Sequence, residues 1–540
     1  MKTPARHFRF ALELNQEPEG WQGTLISLDE GQTEFELTEI TNTADTLAWT
    51  LAKTKAKYEG TSDGSAAKGH WLQRTAKLDL TFERVDEVPK EKLKALWTGT
   101  INVVVQKLDV QIRELETGDI YFDSVTQKVG GFVGKRTVDG ETVKIEVPGL
   151  NASFEGALSE DGSELVGKWK QGFLSPSLTL TKQDNPVEEL AEAAKPPARP
   201  QTPQAPFPYS IEEVQVSNSE AKVTLAGTLT IPKAAKGKVP AVVLVSGSGP
   251  QDRDESIAGH KPFSVIADYF SRNGIAVLRY DDRGTAESTG DFSTATSVDF
   301  ANDAGAAVAY LRSRPEINAG QIGIAGHSEG GLIAPMVAVQ DEGVAFIILM
   351  AGPGVNGEKI LVSQGALILQ ASGMSKEEIM REALVQQSLI DLTKETPRLT
   401  DAKFKEKALA IVERLLEEAG DSEQSAEEVV QVAAAQLRSP WFEYFLTYEP
   451  KSNLEQVKCA VLAINGAKDL QVEPKMNLEA IEQALKVAPT SDFRAVELPE
   501  LNHLFQTANT GLMDEYGEIE ETFNEGALKL MTDWILEHTN

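Results

Sequence analysis

Residues 186 to 208 carry seven prolines, Pro186, Pro196, Pro197, Pro200, Pro203, Pro206 and Pro208, and the hydrophobic pattern has a different period on either side of them. A stretch of this composition, filled out with Ala and Glu, reads as a semi-rigid, mostly extended linker that cannot pack a core. It divides the chain into parts that fold by different rules. At 540 residues the chain is in any case too long for one core.

Before the linker, in residues 1–185, apolar side chains alternate: Phe8, Phe10, Leu12 and Leu14; Leu78, Leu80 and Phe82; Leu108, Val110 and Ile112; Leu178 and Leu180. A period of two, broken by turns such as Asp139-Gly140 and Asp161-Gly162, predicts an all-β region of half-buried antiparallel strands. The region repeats itself, as about 1–88 and 89–185. Trp21-Gln22-Gly23-Thr24-Leu25 returns as Trp97-Thr98-Gly99-Thr100-Ile101, Tyr58-Glu59-Gly60 as Phe154-Glu155-Gly156, and Gly69-His70-Trp71 as Gly167-Lys168-Trp169. The offset grows from 76 to 96 residues, which places an insertion of about twenty residues in the second copy, around Gly118 to Gly140. Tryptophans repeated in register (Trp21, Trp71, Trp97, Trp169) read as core before they read as a binding surface. The isolated His7 and His70 have no catalytic spacing.

After the linker, in residues 209–540, short continuous apolar runs alternate with helical stretches. Val223–Ile231, Ala241–Val245, Ile275–Tyr280, Ala345–Met350, Ala460–Ile464 and Phe493–Leu498 read as strands, and Pro262–Arg272 and Val298–Arg312 as helices. Unalternating β-branched runs belong to strands covered on both faces, so this region predicts a mostly parallel sheet with helices on both sides. Reactive groups in such sheets collect at the carboxyl ends of the strands.

Charge narrows the partners. Lys and Arg number 52 against 82 Asp and Glu, a net −30 that repels phosphate backbones and anionic headgroups, so neither nucleic acid nor membrane is an expected partner. Cys459 is the single cysteine, which excludes an intrachain disulfide and thiol-rich metal sites. Residues 1–20 contain no apolar run of signal-peptide length, so the chain as given is expected to be cytoplasmic, or exported with its leader removed.

The chemistry centres on Gly326-His327-Ser328-Glu329-Gly330-Gly331, directly after the apolar run Ile322-Gly323-Ile324-Ala325. G-x-S-x-G between a strand and a helix forms a sharp turn in which small residues at 326 and 330 relieve crowding and the serine hydroxyl is exposed at a helix N-terminus. A serine hydroxyl needs a base, and the base an acid that fixes its tautomer. In the order nucleophile, acid, histidine, only His503 and His538 lie downstream. His538 ends the chain's last helix, whereas His503 follows the strand Phe493–Leu498 and is the expected base. His327 reads as structural. Asp469 stands just past the strand Val461–Ile464 and is the expected acid; Asp492 lies at the wrong end of the last strand. The oxyanion needs two backbone donors: Glu329, after the serine, and Ser248, with Gly249 as its alternative, in the loop Ser246-Gly247-Ser248-Gly249-Pro250.

The segments Ser246-Gly247-Ser248-Gly249-Pro250-Gln251-Asp252-Arg253-Asp254, Tyr280-Asp281-Asp282-Arg283-Gly284, Gly326–Gly331 and Leu501-Asn502-His503 together resemble bacterial serine esterases of the α/β-hydrolase superfamily, close to the dienelactone-hydrolase and prolyl-oligopeptidase-like branches. The resemblance covers roughly 209–540. It implies an α/β hydrolase fold and hydrolysis of small carboxylic esters without cofactor or metal. Ala286-Glu287 departs from the pattern, which usually continues with a second Gly.

Between Met350 and Ala460 about a hundred residues are inserted, more than a crossover helix requires. Leu361–Ala371, Lys376–Lys394, Ala402–Glu418 and Ala426–Leu437 read as helices, and residues 353–455 as a helical cap over the strand ends. Trp441, Phe442, Phe445 and Tyr448 either line an acyl pocket or anchor the cap. A serine peptidase or acyl-CoA thioesterase would use the same triad; a β-domain binding protein with a degenerate hydrolase is the reading from another class. Composition leaves the oligomeric state open.

Overall fold

The computed structural model describes every residue except 1–8, 18–19, 28–32, 52–55, 74–75, 86–92, 104–105, 127–128, 141, 151, 160, 172–175, 184–197, 234–236, 396–399, 420–425, 427–429, 431–433, 435–436, 491 and 540. It divides into two compact units, Met1–Pro196 and Pro197–Asn540.

The first unit is all β. Strands β1 (Phe10–Glu17), β2 (Gly20–Ser27), β3 (Thr33–Asn42), β4 (Thr46–Leu51), β5 (Lys57–Ser62), β6 (Ala66–Gln73) and β7 (Ala76–Glu83) form a seven-stranded antiparallel sheet in chain order. Strands β8 (Leu93–Val103), β9 (Gln106–Leu115), β10 (Ile120–Ser124), β11 (Val129–Asp139), β12 (Thr142–Val147), β13 (Ala152–Leu158), β14 (Glu164–Gln171) and β15 (Ser177–Lys182) close into a barrel. The sequence repeats fall on equivalent strands. Tyr58 faces Trp71 and Gly60 faces Gly69 across β5 and β6; Phe154 faces Trp169 and Gly156 faces Gly167 across β13 and β14. The hairpin β10–β11 occupies the segment where the second copy is longer. Closure pairs Thr181 with Thr98 and Lys182 with Trp97. Trp71, Trp97 and Trp169 are buried, the last stacked on Phe122 at 4.6 Å between centroids, while Trp21 is half-buried.

The second unit is built on eight strands: β16 (Tyr209–Asn218), β17 (Val223–Pro232), β18 (Val239–Val245), β19 (Ala276–Tyr280), β20 (Ile317–His327), β21 (Phe346–Met350), β22 (Ala460–Gly466) and β23 (Phe493–Leu498). Their order is β16-β17-β19-β18-β20-β21-β22-β23, antiparallel at β16/β17/β19 and parallel from β19 onward. Helices α1 (Pro262–Arg272), α2 (Ser297–Ser313) and α3 (Glu329–Gln340) are the first crossovers. Because the inner strands are apolar on both faces, two cores form: α2 and α3 pack on one face, and α1 with the last helix on the other. Between β21 and β22 lie α4 (Gly357–Ala371), α5 (Lys376–Glu395), α6 (Asp401–Ala419), α7 (Pro440–Thr447) and α8 (Lys451–Leu454). The expected helix Ala426–Leu437 lies largely outside the described residues. After β22 come α9 (Pro474–Leu485) and, after β23, α10 (Glu525–Thr539). No helix among the described residues is long and apolar enough to cross a membrane.

The linker expected over 186–208 ends earlier than its composition implies. Arg199 donates to the carbonyls of Gly517 (2.7 Å), Ile519 (3.1 Å) and Ala258 (3.2 Å). Gln201 accepts from the amides of Thr522 (2.6 Å) and Phe523 (3.0 Å) and donates to the Phe523 carbonyl (2.7 Å). Proline denies the segment its own ladder, and two long polar side chains pin it to the following unit instead.

Candidate active site

Ser328 sits where β20 gives way to α3, with φ 51° and ψ −115°, a strained backbone for a residue with a Cβ. Neighbours hold it there: its amide donates to the Met350 carbonyl at 2.8 Å, and its carbonyl accepts from Gly331 at 2.9 Å. A Cβ on Gly326 would stand 2.0 Å from the Gly330 carbonyl oxygen, and one on Gly330 2.1 Å from that of Val245, so the turn admits only glycine at both places.

Two and three strands away, Asp469 and His503 leave the carboxyl ends of β22 and β23. Asp469 Oδ2 is 2.8 Å from His503 Nδ1, with both side chains almost wholly buried. Its other oxygen accepts from the amides of Gln471 (2.8 Å) and Val472 (2.9 Å), which fixes the carboxylate's aim. Asn502 holds the histidine loop: its Oδ1 accepts from Leu504 and Gln506, both at 3.0 Å. Asp492 lies elsewhere, 2.9 Å from His538 Nε2, so neither of the rejected residues is brought to the site.

The Gly-rich loop after β18 passes beside the serine; a Cβ on Gly247 would stand 3.1 Å from that of Ser328. Asp282 anchors this loop by accepting from the Ser246 hydroxyl (2.9 Å) and the Gln251 amide (3.0 Å). Burial pushes the Asp282 carboxyl well above the usual carboxylate range, against the effect of those bonds. The Gly247 amide is taken by Glu255 at 2.7 Å, whereas the Ser248 amide has no intramolecular acceptor among the described residues. Arg253 ties the loop to the next one through Asp281 and Glu287, each at 2.7 Å, and to β16 through Glu213.

The side chain of Glu329 is buried, and one oxygen accepts from both Ser297 (2.6 Å) and the Trp441 indole (2.7 Å). Burial raises its pKa, opposed by these two bonds. Trp441 thus reaches the residue next to Ser328, and stacks on Phe445 at 5.0 Å. Phe442 is buried in the cluster formed by α5, α6 and α7, Phe445 is buried against Gly357, and Tyr448 stacks on Tyr444. A small cavity is lined by Ser246, Gly247, Tyr280, Asp282 and Glu329, among others.

One residue of the site escaped the sequence reading. Glu255 is buried with φ 50° and bridges the Gly247 amide to His327 Nδ1 (2.9 Å), whose Nε2 is 2.9 Å from the His503 carbonyl. The only signal was its place at the end of the acidic run Asp252-Arg253-Asp254-Glu255, since its partner is 72 residues away.

An open sheet parallel from β19 onward, with a strained Gly-x-Ser-x-Gly turn in its middle and an Asp–His pair at the ends of two later strands, is the architecture of the α/β-hydrolase fold. Residues 222–490 match the model of the X-Pro dipeptidyl-peptidase (S15) family. The chain is 34% identical over 168 residues to esterase EstD of Thermotoga maritima, a match covering 31% of this chain and 39% of that protein. Among solved structures it is similar to the α/β hydrolase GrgF of Penicillium (18% identity, 61% of this chain and 99% of that one, TM-score 0.37). It is also similar to a dienelactone hydrolase of Anabaena variabilis (17%, 62% and 100%, TM-score 0.33). The chain is thus similar over part of its second unit to an S15-family model and to an esterase, and it spans well under half the length of that esterase.

Proposed function

We propose that the second unit is a carboxylesterase acting on small esters through an acyl-enzyme, with Ser328, His503 and Asp469 as its triad. His503 Nε2 takes the Ser328 proton as Oγ attacks the ester carbonyl; Asp469 fixes the tautomer and steadies the imidazolium. The oxyanion rests on the amides of Glu329 and Ser248, at the N-terminus of α3. His503 then protonates the departing alcohol, and water, activated by the same imidazole, releases the acid. The observation that carries this reading is the 2.8 Å Asp469–His503 bond, two and three strands from a serine whose φ is positive.

In the same reading the helices between β21 and β22 are a cap over the strand ends, and Trp441 is the aromatic that bounds the acyl pocket; Phe442, Phe445 and Tyr448 hold the cap together. No cofactor enters the scheme. Ser328→Ala is expected to lower turnover of p-nitrophenyl acetate by about 10⁴-fold or more, His503→Ala nearly as much and Asp469→Asn less, because the group acts as a unit. Normal turnover by Ser328→Ala or His503→Ala sinks the assignment. A peptidase is the second reading, favoured by the match to the X-Pro dipeptidyl-peptidase model. Release of p-nitroaniline from X-Pro anilides faster than hydrolysis of the matching esters decides for it.

A further inference from the structure

His327 precedes the candidate nucleophile and takes no part in the scheme above, yet both its nitrogens are engaged in the interior. Nε2 lies 2.9 Å from the His503 carbonyl, which can only accept, so Nε2 carries a proton. Nδ1 lies 2.9 Å from Glu255 Oε1, and that oxygen also accepts from the Gly247 amide at 2.7 Å, the behaviour of an ionised carboxylate gathering two donors. Neither neutral tautomer supplies a donor to both neighbours; the imidazolium does. We propose that His327 is a positioning residue: held as an imidazolium by Glu255, it clamps the loop of the oxyanion donor to the loop of the catalytic base.

The clamp is short and buried. Through Glu255 it fixes the Gly247 amide, one residue from Ser248, and through Nε2 it fixes the backbone of His503 itself. The groups facing the ring from the packed elements are Glu255 on the loop before α1, the His503 ring at 4.8 Å and the Phe505 ring at 6.4 Å on the loop after β23, and Asp469 on the turn after β22. Burial disfavours the charge on His327. Glu255, the bond to the His503 carbonyl and Asp469 outweigh it and raise its pKa. The charged clamp is therefore present below the raised value and is lost as pH rises through it, when one of its two bonds loses its hydrogen.

The inference rests on the triad reading and is tested apart from it. In wild-type enzyme labelled with ¹⁵N-histidine, His327 should show two protonated ring nitrogens at neutral pH, its signal identified by its loss in His327→Gln or its shift in Glu255→Gln. The alkaline limb of kcat should follow that titration. Glu255→Gln removes the counter-ion, so both the titration and the limb should move to lower pH, with kcat reduced roughly 10- to 100-fold and KM little changed. A neutral tautomer of His327 in the wild type at neutral pH overturns the proposal, as does an alkaline limb unmoved in Glu255→Gln. Full activity in Ser328→Ala breaks the triad reading instead and leaves the ¹⁵N result standing.

Discussion

The buried Glu329 carboxyl carries a pH signature that belongs to one residue. Its pKa is raised because burial penalises the ionised form more than Ser297 and Trp441 relieve it. The folded state therefore holds its proton more tightly than the unfolded state does. The penalty is absent below the ordinary glutamate value of about 4.3, develops as pH rises toward the raised value, and is complete above it. Glu329→Gln keeps an oxygen for both donors and removes the charge, so it should raise Tm by about 2 °C or more at pH 7.5 and leave it unchanged near pH 3.5. Equal melting shifts at both pH values would show that the carboxyl is not the cause. Single residues were unequally legible in the sequence. Asp469 and His503 could be singled out because chain order and strand ends narrow the choice to a few residues, and the structure sets them 2.8 Å apart. Glu255 and the task of His327 could not, because they exist only through a contact between loops that no local pattern encodes.

Elements were legible where burial is two-sided. The runs Ile322–Ala325 and Ala345–Met350 read as strands because both faces are covered. The edge strand β16 went unread: its alternation, buried Val214 and Val216 against exposed Glu213 and Gln215, is short and follows closely on the proline-rich stretch. Three of the four inserted helices expected from composition are helices, and the fourth lies largely outside the described residues; the work of their aromatics was not legible. Phe445 lies with a ring carbon 2.5 Å from where a Gly357 Cβ would stand, which makes it a packing residue, whereas Trp441 alone reaches Glu329. Trp441→Ala should thus extend hydrolysis from acetyl and butyryl to longer p-nitrophenyl esters with a modest loss of stability. Phe445→Ala should cost about 3–5 kcal/mol in denaturant unfolding with the chain-length profile of its folded fraction unchanged. A profile that broadens in Phe445→Ala and not in Trp441→Ala would reverse the two roles.

At the scale of the whole molecule, the two periods of the sequence foretold two kinds of unit, but not the closure of the barrel, which depends on pairing Thr98 with Thr181, nor the point at which the second unit starts. That point has a functional consequence. Gln201 holds the amides of Thr522 and Phe523; Thr522 bonds His260, whose Nε2 neighbours Gln506; and Gln506 closes onto Asn502, next to His503. A polar chain therefore runs from the end of the proline-rich stretch to the loop of the candidate base, every link within the second unit. A fragment of residues 197–540 should keep kcat/KM on p-nitrophenyl acetate within about twofold, because the whole proposed triad and its supports lie inside it. A fragment of residues 209–540 loses Arg199 and Gln201, leaves the 517–523 segment without those partners, and should melt several degrees lower with reduced kcat. Calorimetry and ester assays on the two fragments beside the full chain separate the outcomes. If the longer fragment is folded and soluble yet inactive, the first unit completes the site; if the two fragments melt alike, the polar chain does not support the histidine loop.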